Sequence, residues 1–323
     1  MAPSARCAAL LISLGLLASA DKIAAAPKQA QDCRLKQLAS LDLVLRDGGV
    51  LVPVTLNGHA GYMELELAYA RSYFYQGAAD AIGLPHRYLN GRVATYWDGE
   101  LIKQSATFDS LVLGNATFAK GEFVLAPIPD KGDVFGSLGM TFFAPVDFEL
   151  DLRRKKMHLF SQDHCQGEVV YWSEQVASVP LRTGVLGDLF FDMVLEGKKV
   201  ATSWSPSESM TTITSDATRN LFGFDEKSPG VEVERDASGN TVAHYRAMQL
   251  SAPGLTATNT KIVLVDDDEG GGCGNSAFTG TRMAQKNDCL TKPPLRLGRN
   301  VLESMRLYFA TKERMLYFTA ADE

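Results

Sequence analysis

The sequence predicts a mainly β fold made of two similar lobes. Short stretches of alternating apolar and polar residues recur along the chain and are separated by glycine-containing turns, which is typical of β-strands. One unit also occurs twice: segment 65–74 follows the turn Leu56-Asn57-Gly58, and segment 204–213 follows the turn Leu195-Glu196-Gly197. Internal repetition of this kind indicates one supersecondary unit used twice.

The two copies of the unit align without a gap when Gly58 is placed on Gly197. Each copy then runs into a short helical pattern that ends in glycine and an apolar residue. The alignment pairs Glu66 with Ser205, Ser72 with Thr211 and Phe74 with Ile213.

Length and charge narrow the function classes. A chain of 323 residues exceeds what one small core needs, so we predict an N-terminal lobe over 41–168 and a C-terminal lobe over 169–323. The net charge of -6, without a basic stripe interleaved with aromatic residues, argues against nucleic-acid binding. The five histidines lack metal-ligand spacing, and we expect neither a metal nor a cofactor.

The N-terminus has the features of a secretory signal. Arg6 precedes an apolar run that is too short for a permanent membrane span. Cleavage is expected near Ala20 or Ala26, and an uncleaved anchor is the alternative. We therefore predict a signal peptide over 1–20, a loose leader over 21–40, a periplasmic or secreted location and no membrane span in the mature chain.

Four cysteines remain after removal of the signal. An even number in an oxidising compartment indicates two disulfides, for which three connectivities exist. We favour Cys33–Cys165, which brackets the first copy of the unit, and Cys273–Cys289, which closes a glycine-rich insertion. A four-thiolate metal site is the rival, but no C-x-x-C spacing is present.

The first half predicts the elements of one lobe in order. Asn-Gly at 57–58 is a strong hairpin signal because both residues tolerate positive φ. Gly83 and Pro85 end a short helix. The predicted elements are strands over 43–54, Tyr62–Leu67, 110–113, 122–125, 148–152 and 157–160, a helix over 77–82, a hairpin with aromatic flanks within 92–104, and a glycine-containing segment over 133–140.

The second half repeats this order. It predicts a strand near 187–194, a helix over 215–221, a hairpin around 237–240 and a strand over 262–265. Leu295-Arg296-Leu297-Gly298 then matches Ser137-Leu138-Gly139. Two closing strands, around 307–309 and 315–318, mirror those at 148–152 and 157–160. The boundary between the halves is expected near 165–173.

This ordered set resembles aspartic proteases of the retropepsin and pepsin kind, specifically bacterial secreted proteins with two retropepsin-like lobes in one chain. Segments 65–74 and 211–213 fit the frame of the family's first motif, hydrophobic-Asp-Thr-Gly-Ala-x-x-Ser/Thr-x-hydrophobic. Segments 137–140 and 296–298 fit its later hydrophobic-hydrophobic-Gly motif less strictly. The resemblance covers about residues 41 to 320. It implies tandem retropepsin-like β-barrel lobes with a cleft between them and a flap hairpin.

The chain departs from that family at the catalytic motif. Asp-Thr-Gly is replaced by Glu66-Leu67-Ala68 in the first lobe and by Ser205-Pro206-Ser207 in the second. The family mechanism needs two carboxylates that share one proton, and a serine cannot supply one of them. The lost glycines matter too, because a Cβ or the fixed φ of proline resists the tight loop. The sequence therefore argues against hydrolysis by the family mechanism.

The preferred hypothesis is a pseudo-protease that binds a peptide or protein segment in the inter-lobe cleft by strand-like pairing. One alternative is an active peptidase with a non-standard site that uses Glu66 and an unconventional partner. Placement of another acid in the site, such as Asp98 of the hairpin, is left open as well. Others are a purely structural envelope protein and an unrelated β-sandwich or barrel. In the predicted flap, aromatic side chains either close over a ligand or only pack their own lobe. The candidate binding residues are Glu66, Ala68, Ser205, Ser207, Tyr96 and Trp97.

Two further patterns carry weaker hypotheses. The acidic run 266–269 before Gly270 offers hard oxygen ligands for Ca²⁺, but its spacing is not that of an EF-hand and a solvated loop is the preferred interpretation. The serine-rich stretch 203–209 does not match G-x-S-x-G, so it does not support an α/β-hydrolase.

Overall fold

The structure is a computed structural model. It describes residues 34–89, 95–97, 100–184, 187–235, 239, 241–266 and 293–321. The chain divides into two compact units, Met1–Asp32 and Cys33–Glu323, and all the elements below belong to the second. The predicted signal peptide and most of the predicted leader lie outside the described residues.

The first half of the described chain is built from short strands, with one helix and one 3-10 turn. Their order agrees with the order predicted from the alternating pattern. The elements are β1 (Gln37–Asp42), β2 (Val44–Arg46), β3 (Gly49–Leu56), β4 (His59–Glu66), β5 (Tyr73–Tyr75), α1 (Gln76–Ala81), β6 (His86–Tyr88), β7 (Thr95–Trp97), β8 (Glu100–Ile102), β9 (Gln104–Leu113), β10 (Ala116–Ala126), β11 (Val134–Gly139), a 3-10 turn (Met140–Phe143), β12 (Asp147–Asp151) and β13 (Lys156–Phe160).

The second half repeats this arrangement. The predicted helix is present as one α-helical turn that continues into a π-helical turn and ends at Gly223, whose φ is 76°. The elements are β14 (Ala177–Pro180), β15 (Arg182–Thr183), β16 (Leu189–Leu195), β17 (Lys198–Trp204), β18 (Thr211–Thr214), α2 (Ser215–Ala217), the π-helical turn (Thr218–Phe222), β19 (Val231–Arg235), β20 (Thr241–Ala252), β21 (Leu255–Val265), β22 (Leu295–Leu297), α3 (Arg299–Leu302), β23 (Met305–Ala310) and β24 (Met315–Ala320).

Each half forms an eight-stranded sheet with the same connectivity. The strand order is β2-β3-β4-β11-β5-β10-β9-β6 in the first lobe and β15-β16-β17-β22-β18-β21-β20-β19 in the second. Additional pairings, β3 with β9 and β16 with β20, close each sheet on itself. The chain is therefore mainly β with two barrel lobes, and the predicted internal repeat is confirmed.

A third sheet joins the two lobes. Its order is β1-β13-β12-β23-β24-β14, so each half of the chain contributes strands to it. At its centre β12 pairs antiparallel with β23, and the Phe148 ring stacks on the Phe309 ring at 4.3 Å. The predicted strands at 148–152, 157–160, 307–309 and 315–318 thus fuse the lobes, because they pair across the repeat as well as within it.

The expectation of a loose leader as far as residue 40 is wrong at its end. β1 begins at Gln37 and pairs with β13. Ala39 and Leu41 are buried while Ser40 and Asp42 are exposed, so the alternation of a strand starts earlier than expected. The predicted lobe boundary at 168/169 falls in the connection between β13 and β14 and remains a prediction. Within the described part of the chain, no helix is long and apolar enough to span a membrane.

Candidate functional site

The two candidate catalytic positions occupy equivalent places in the two lobes. Glu66 is the last residue of β4, and Ser205 directly follows β17. Each of these strands runs parallel to the short strand of the later motif: Glu66 is opposite Gly139, and Trp204 is opposite Leu297. The alignment of Glu66 with Ser205 is therefore confirmed by strand register.

The loops that follow β4 and β17 make the same backbone hydrogen bonds. Each loop closes a turn on itself and then receives two N–H donors from the segment after the later motif's glycine. The bonds are Tyr69 N–Glu66 O (3.2 Å), Met140 N–Tyr69 O (2.8 Å) and Thr141 N–Ala70 O (2.9 Å) in the first lobe, and Glu208 N–Ser205 O (3.1 Å), Arg299 N–Glu208 O (2.9 Å) and Asn300 N–Ser209 O (3.1 Å) in the second.

A hydrogen bond between a hydroxyl group and a glycine N–H joins each loop to the neighbouring strand. Gly139 N donates to Ser72 Oγ over 2.9 Å, and Gly298 N donates to Thr211 Oγ1 over 3.1 Å. A Cβ on Gly139 would lie 2.4 Å from the Arg71 carbonyl oxygen, and one on Gly298 would lie 2.2 Å from backbone atoms of the second loop. Glycine is required at both positions because backbone passes too close for a side chain.

The Glu66 carboxyl is almost buried, with 8% of the residue exposed. Burial raises its pKa to about 7 because the charged form loses its water. The hydroxyl of Ser207, which belongs to the opposite loop, hydrogen-bonds to this carboxyl and opposes the rise in pKa. The structure therefore brings together two of the predicted binding residues, one from each lobe.

Three charged or phenolic groups surround this pair. Arg296 forms an ion pair with Glu208, with 3.2 Å between the Arg296 guanidinium nitrogen and the Glu208 carboxylate oxygen. Glu208 also accepts a hydrogen bond from Thr212 Oγ1 over 3.1 Å. The Tyr69 hydroxyl contacts Arg296, and burial raises the Tyr69 pKa. The charge of Glu208 raises the pKa of Glu66, whereas the charge of Arg296 lowers it.

Sequence reasoning missed Tyr69, Glu208 and Arg296 as site residues. One signal was available for Arg296. It occupies the first position of the hydrophobic-hydrophobic-Gly motif, where the first lobe has Ser137, and a cation at a position expected to be apolar indicates a polar partner nearby.

The remaining predicted site residues have mixed outcomes. Ala68 is half-buried beside Glu66, and Ser205 is buried. Tyr96 and Trp97 lie on the predicted hairpin, in which β7 pairs with β8, but their side chains are outside the description and their contact with a ligand stays a prediction. The alternative acid, Asp98, lies outside the described residues.

The cysteine and metal predictions fall mostly outside the description. Cys165 is disulfide-bonded; its expected partner, Cys33, is not among the described residues, so the pairing stays a prediction. The pair Cys273–Cys289 and the acidic run after Asp266 also lie outside. No group of three metal-ligating side chains occurs among the residues that the structure describes.

Of the two equivalent positions, only Glu66 carries a carboxyl, whereas the aspartic-protease mechanism needs a carboxylate at both. The Ser205 hydroxyl stays protonated near neutral pH, so it cannot replace a carboxylate as the ionised partner of Glu66. With a pKa of about 7, the Glu66 carboxyl is protonated in acid, where it donates a hydrogen bond, and ionised in alkali, where it only accepts. The Glu66 carboxyl therefore changes from a hydrogen-bond donor to an acceptor near neutral pH.

The comparisons with known proteins concern the fold. No protein-family model matches the sequence, and no curated protein matches it. The solved structures that it resembles include an aspartic proteinase from Irpex lacteus, with 10% identity, a TM-score of 0.49 and coverage of 88% of this chain and 97% of that one. They also include conglutin gamma, a basic 7S globulin from lupine seeds, and the basic 7S globulin from soybean, each with 10% identity, a TM-score of 0.47 and coverage of 90% and 96%. The strand content and the two closed sheets agree with the mainly β, two-lobed fold class that the sequence predicts.

Proposed function

We propose that this chain is a non-catalytic, aspartic-protease-like protein that binds a peptide or protein segment in the cleft between its lobes. The observation that carries this proposal is that Glu66 and Ser205 occupy equivalent positions in the two lobes. Two loops with the same backbone hydrogen bonds bear one carboxyl and one hydroxyl at the positions where the family bears two carboxylates.

We infer the absence of cleavage from the number of carboxylates that the reaction needs. Two adjacent carboxylates share a proton, so that one activates water as a base while the other donates to the substrate carbonyl. Glu66 alone performs only one of these roles at a time. Its proton affinity is also set chiefly by burial, since the groups that raise its pKa by charge, Glu64 and Glu208, contribute less than burial does.

The binding role is supported by the polar groups that meet between the loops. Glu66, Ser207, Tyr69 and Arg296 present donors and acceptors of both kinds within one region. Tyr69 keeps 36% of its surface exposed and offers an aromatic face to a ligand. The hairpin of β7 and β8 supplies strand backbone for pairing with an extended peptide.

The proposed location is the periplasm or the extracellular space. This part of the proposal rests on the signal-like segment 1–20 alone. The partner is a peptide or protein in extended conformation, and the proposal involves no cofactor.

A second candidate is a peptidase with a single carboxyl. The pKa of about 7 favours it, because a general acid or base works best when its pKa lies near the operating pH. This candidate requires that hydrolysis depends on Glu66, and that requirement separates it from the preferred function.

Retention of peptides by the immobilised protein tests the proposal. A diverse peptide library is applied to the wild type, to Ala68→Trp, which fills the half-buried position beside Glu66, and to Asp42→Asn as a matched surface variant. Asp42 is 84% exposed on the six-stranded sheet. We expect the wild type and Asp42→Asn to retain the same peptides uncut, and Ala68→Trp to retain about ten-fold less.

Two results would contradict the proposal. Retention by no variant at any pH would favour a purely structural protein. Retained peptides that are cut by the wild type and left intact by Glu66→Gln would establish the single-carboxyl peptidase instead.

A further inference from the structure

Arg299 makes a contact that the internal repeat does not explain. It is the first residue of α3 and directly follows Gly298 of the second motif. Its Nη1 atom lies 3.0 Å from the Pro206 carbonyl oxygen, 3.1 Å from that of Ser207 and 2.6 Å from that of Gly48. One nitrogen therefore meets three backbone acceptors.

The three acceptors come from both lobes. Pro206 and Ser207 belong to the loop after β17, whereas Gly48 lies in the tight turn between β2 and β3 of the first lobe, 251 residues away from Arg299 in the chain. The φ of Gly48 is 83°. Arg299 thus spans the interface between the lobes at the level of the candidate site.

The surroundings make this bridge strong. The Arg299 side chain is only 14% exposed, so little water competes for its donors. A hydrogen bond from a charged donor is shorter and stronger than one between neutral groups. The Nε atom also lies 3.7 Å from the Glu303 carboxylate, four residues further along the chain, and forms an ion pair with it.

Among the described residues of the first lobe, no counterpart of this bridge is found. The residue equivalent to Arg299 is Met140, which likewise donates its backbone N–H to the preceding loop but has no charged group. The shared backbone bond accounts for the loop's shape in both lobes. The guanidinium adds a contact across the lobes in one of them only.

We propose that Arg299 is a positioning residue that holds the second loop, residues 205–208, against the first lobe and thereby keeps Ser207 beside Glu66. The geometric part of this proposal is independent of the proposed function. The expectation that ligand binding depends on Arg299 rests on the proposed function.

The test compares Arg299→Met, which installs the residue of the first lobe, with Arg299→Lys, which keeps a cation. Two readouts need no ligand: the titration of Glu66, followed by NMR of ¹³C-labelled glutamate, and hydrogen exchange of the backbone amides of Ser205 and of residues 207–211. The third readout is retention of the peptide library.

We expect Arg299→Met to move the Glu66 titration midpoint by about half a pH unit or more and to speed amide exchange in the loop by about ten-fold. Arg299→Lys should recover most of both effects. Exchange in β1 and β13 of the six-stranded sheet should not change. Retention of peptides should fall with Met and recover with Lys.

Unchanged titration and exchange in Arg299→Met would overturn the proposal. If that variant does not fold, Glu303→Ala removes the carboxylate that forms an ion pair with the guanidinium, and it should shift both readouts in the same direction by less. No shift in Glu303→Ala would then overturn the proposal. Should the wild type retain no peptide while Arg299→Met still shifts titration and exchange, the bridge stands and the proposed function fails.

Discussion

The loop after β4 and the loop after β17 differ in chemistry while they agree in shape. Both are held by the same backbone bonds, the same hydroxyl-to-glycine contact and the same parallel strand pairing. Their side chains differ at six equivalent positions. The paired residues, first lobe then second, are Glu66 and Ser205, Leu67 and Pro206, Ala68 and Ser207, Tyr69 and Glu208, Ser137 and Arg296, and Met140 and Arg299.

This difference shows that the fold of the loop and its chemistry depend on separate residues. The bonds between Ser72 and Gly139, and between Thr211 and Gly298, join each loop to its strand in addition to the shared backbone bonds. The positions between β4 or β17 and these anchors carry different side chains in the two loops. They now form a polar interface between unlike loops rather than a pair of matched carboxylates.

The largest expected effect is at the two motif glycines. Gly139→Ala and Gly298→Ala should each lower the free energy of unfolding by about 3 kcal/mol or more, because the added Cβ meets backbone atoms that cannot move away. Denaturation midpoints in urea measure the loss. Gly49→Ala is the control, since its Cβ would lie 3.5 Å from its nearest neighbour. A variant at Gly298 as stable as the Gly49 control would show that the second loop does not approach its strand as described.

The next effect is a dependence of stability on pH that Glu66 causes and that Ser205, which has no carboxyl, does not. The folded pKa of Glu66 is about 7 and its ordinary value is 4.5, so the unfolded chain ionises first as pH rises. Stability from this group is therefore lost between those values, by about 3 kcal/mol at most. Glu66→Gln does not titrate, and it should equal the wild type near pH 4 but exceed it near pH 8.

Urea unfolding at several pH values checks this prediction. Asp42→Asn serves as a control for removal of a carboxylate at an exposed site. Equal pH profiles for the wild type and Glu66→Gln would mean that Glu66 is hydrated in the folded protein.

A smaller effect compares the two anchoring hydroxyls. Ser72→Ala leaves the Gly139 N–H without its acceptor, and a loss of about 1 kcal/mol is expected. Thr211→Val should cost about 2 kcal/mol, because Thr211 Oγ1 also donates to Asn300 Oδ1 over 2.8 Å. Calorimetric melting of the two variants checks the ranking. The reverse order would show that the second anchor does not carry this additional bond.

The smallest effect concerns the hairpin turns before the loops. Asn57 and Glu196 both have positive φ, 46° and 47°, which suits asparagine better than glutamate. The side-chain oxygen of Asn57 also accepts hydrogen bonds from the N–H groups of Asp109 and Ser110. Glu196→Asn should stabilise the protein by about 0.5 kcal/mol, and Asn57→Glu should destabilise it by a similar amount. Melting temperatures of the pair test this, and a destabilised Glu196→Asn would contradict the equivalence of the turns.

The lobe architecture could be predicted from the sequence because local residue patterns determine where its strands and turns lie. Strand alternation, the Asn57-Gly58 turn and the repeated glycine of the later motif each constrain a few neighbouring residues. The start of β1 was missed because its first four residues alternate only weakly before the clear pattern begins.

The contacts of the site could not be predicted in the same way. Arg296 reaches Glu208, and Arg299 reaches Gly48, across 88 and 251 residues of sequence. Local composition carries no information about such distant pairs. The raised pKa of Glu66 likewise results from burial against the opposite lobe, which becomes apparent only when both loops are placed together.

The absence of peptidase activity is tested by incubating a peptide library with the wild type from about pH 3 to about pH 8, with Glu66→Gln as the matched variant. Products are identified by mass spectrometry after the protein has been shown to be folded at each pH. We expect that the wild type and Glu66→Gln both leave the library intact. Cleavage by the wild type that disappears in Glu66→Gln would contradict this expectation and would identify Glu66 as a catalytic residue.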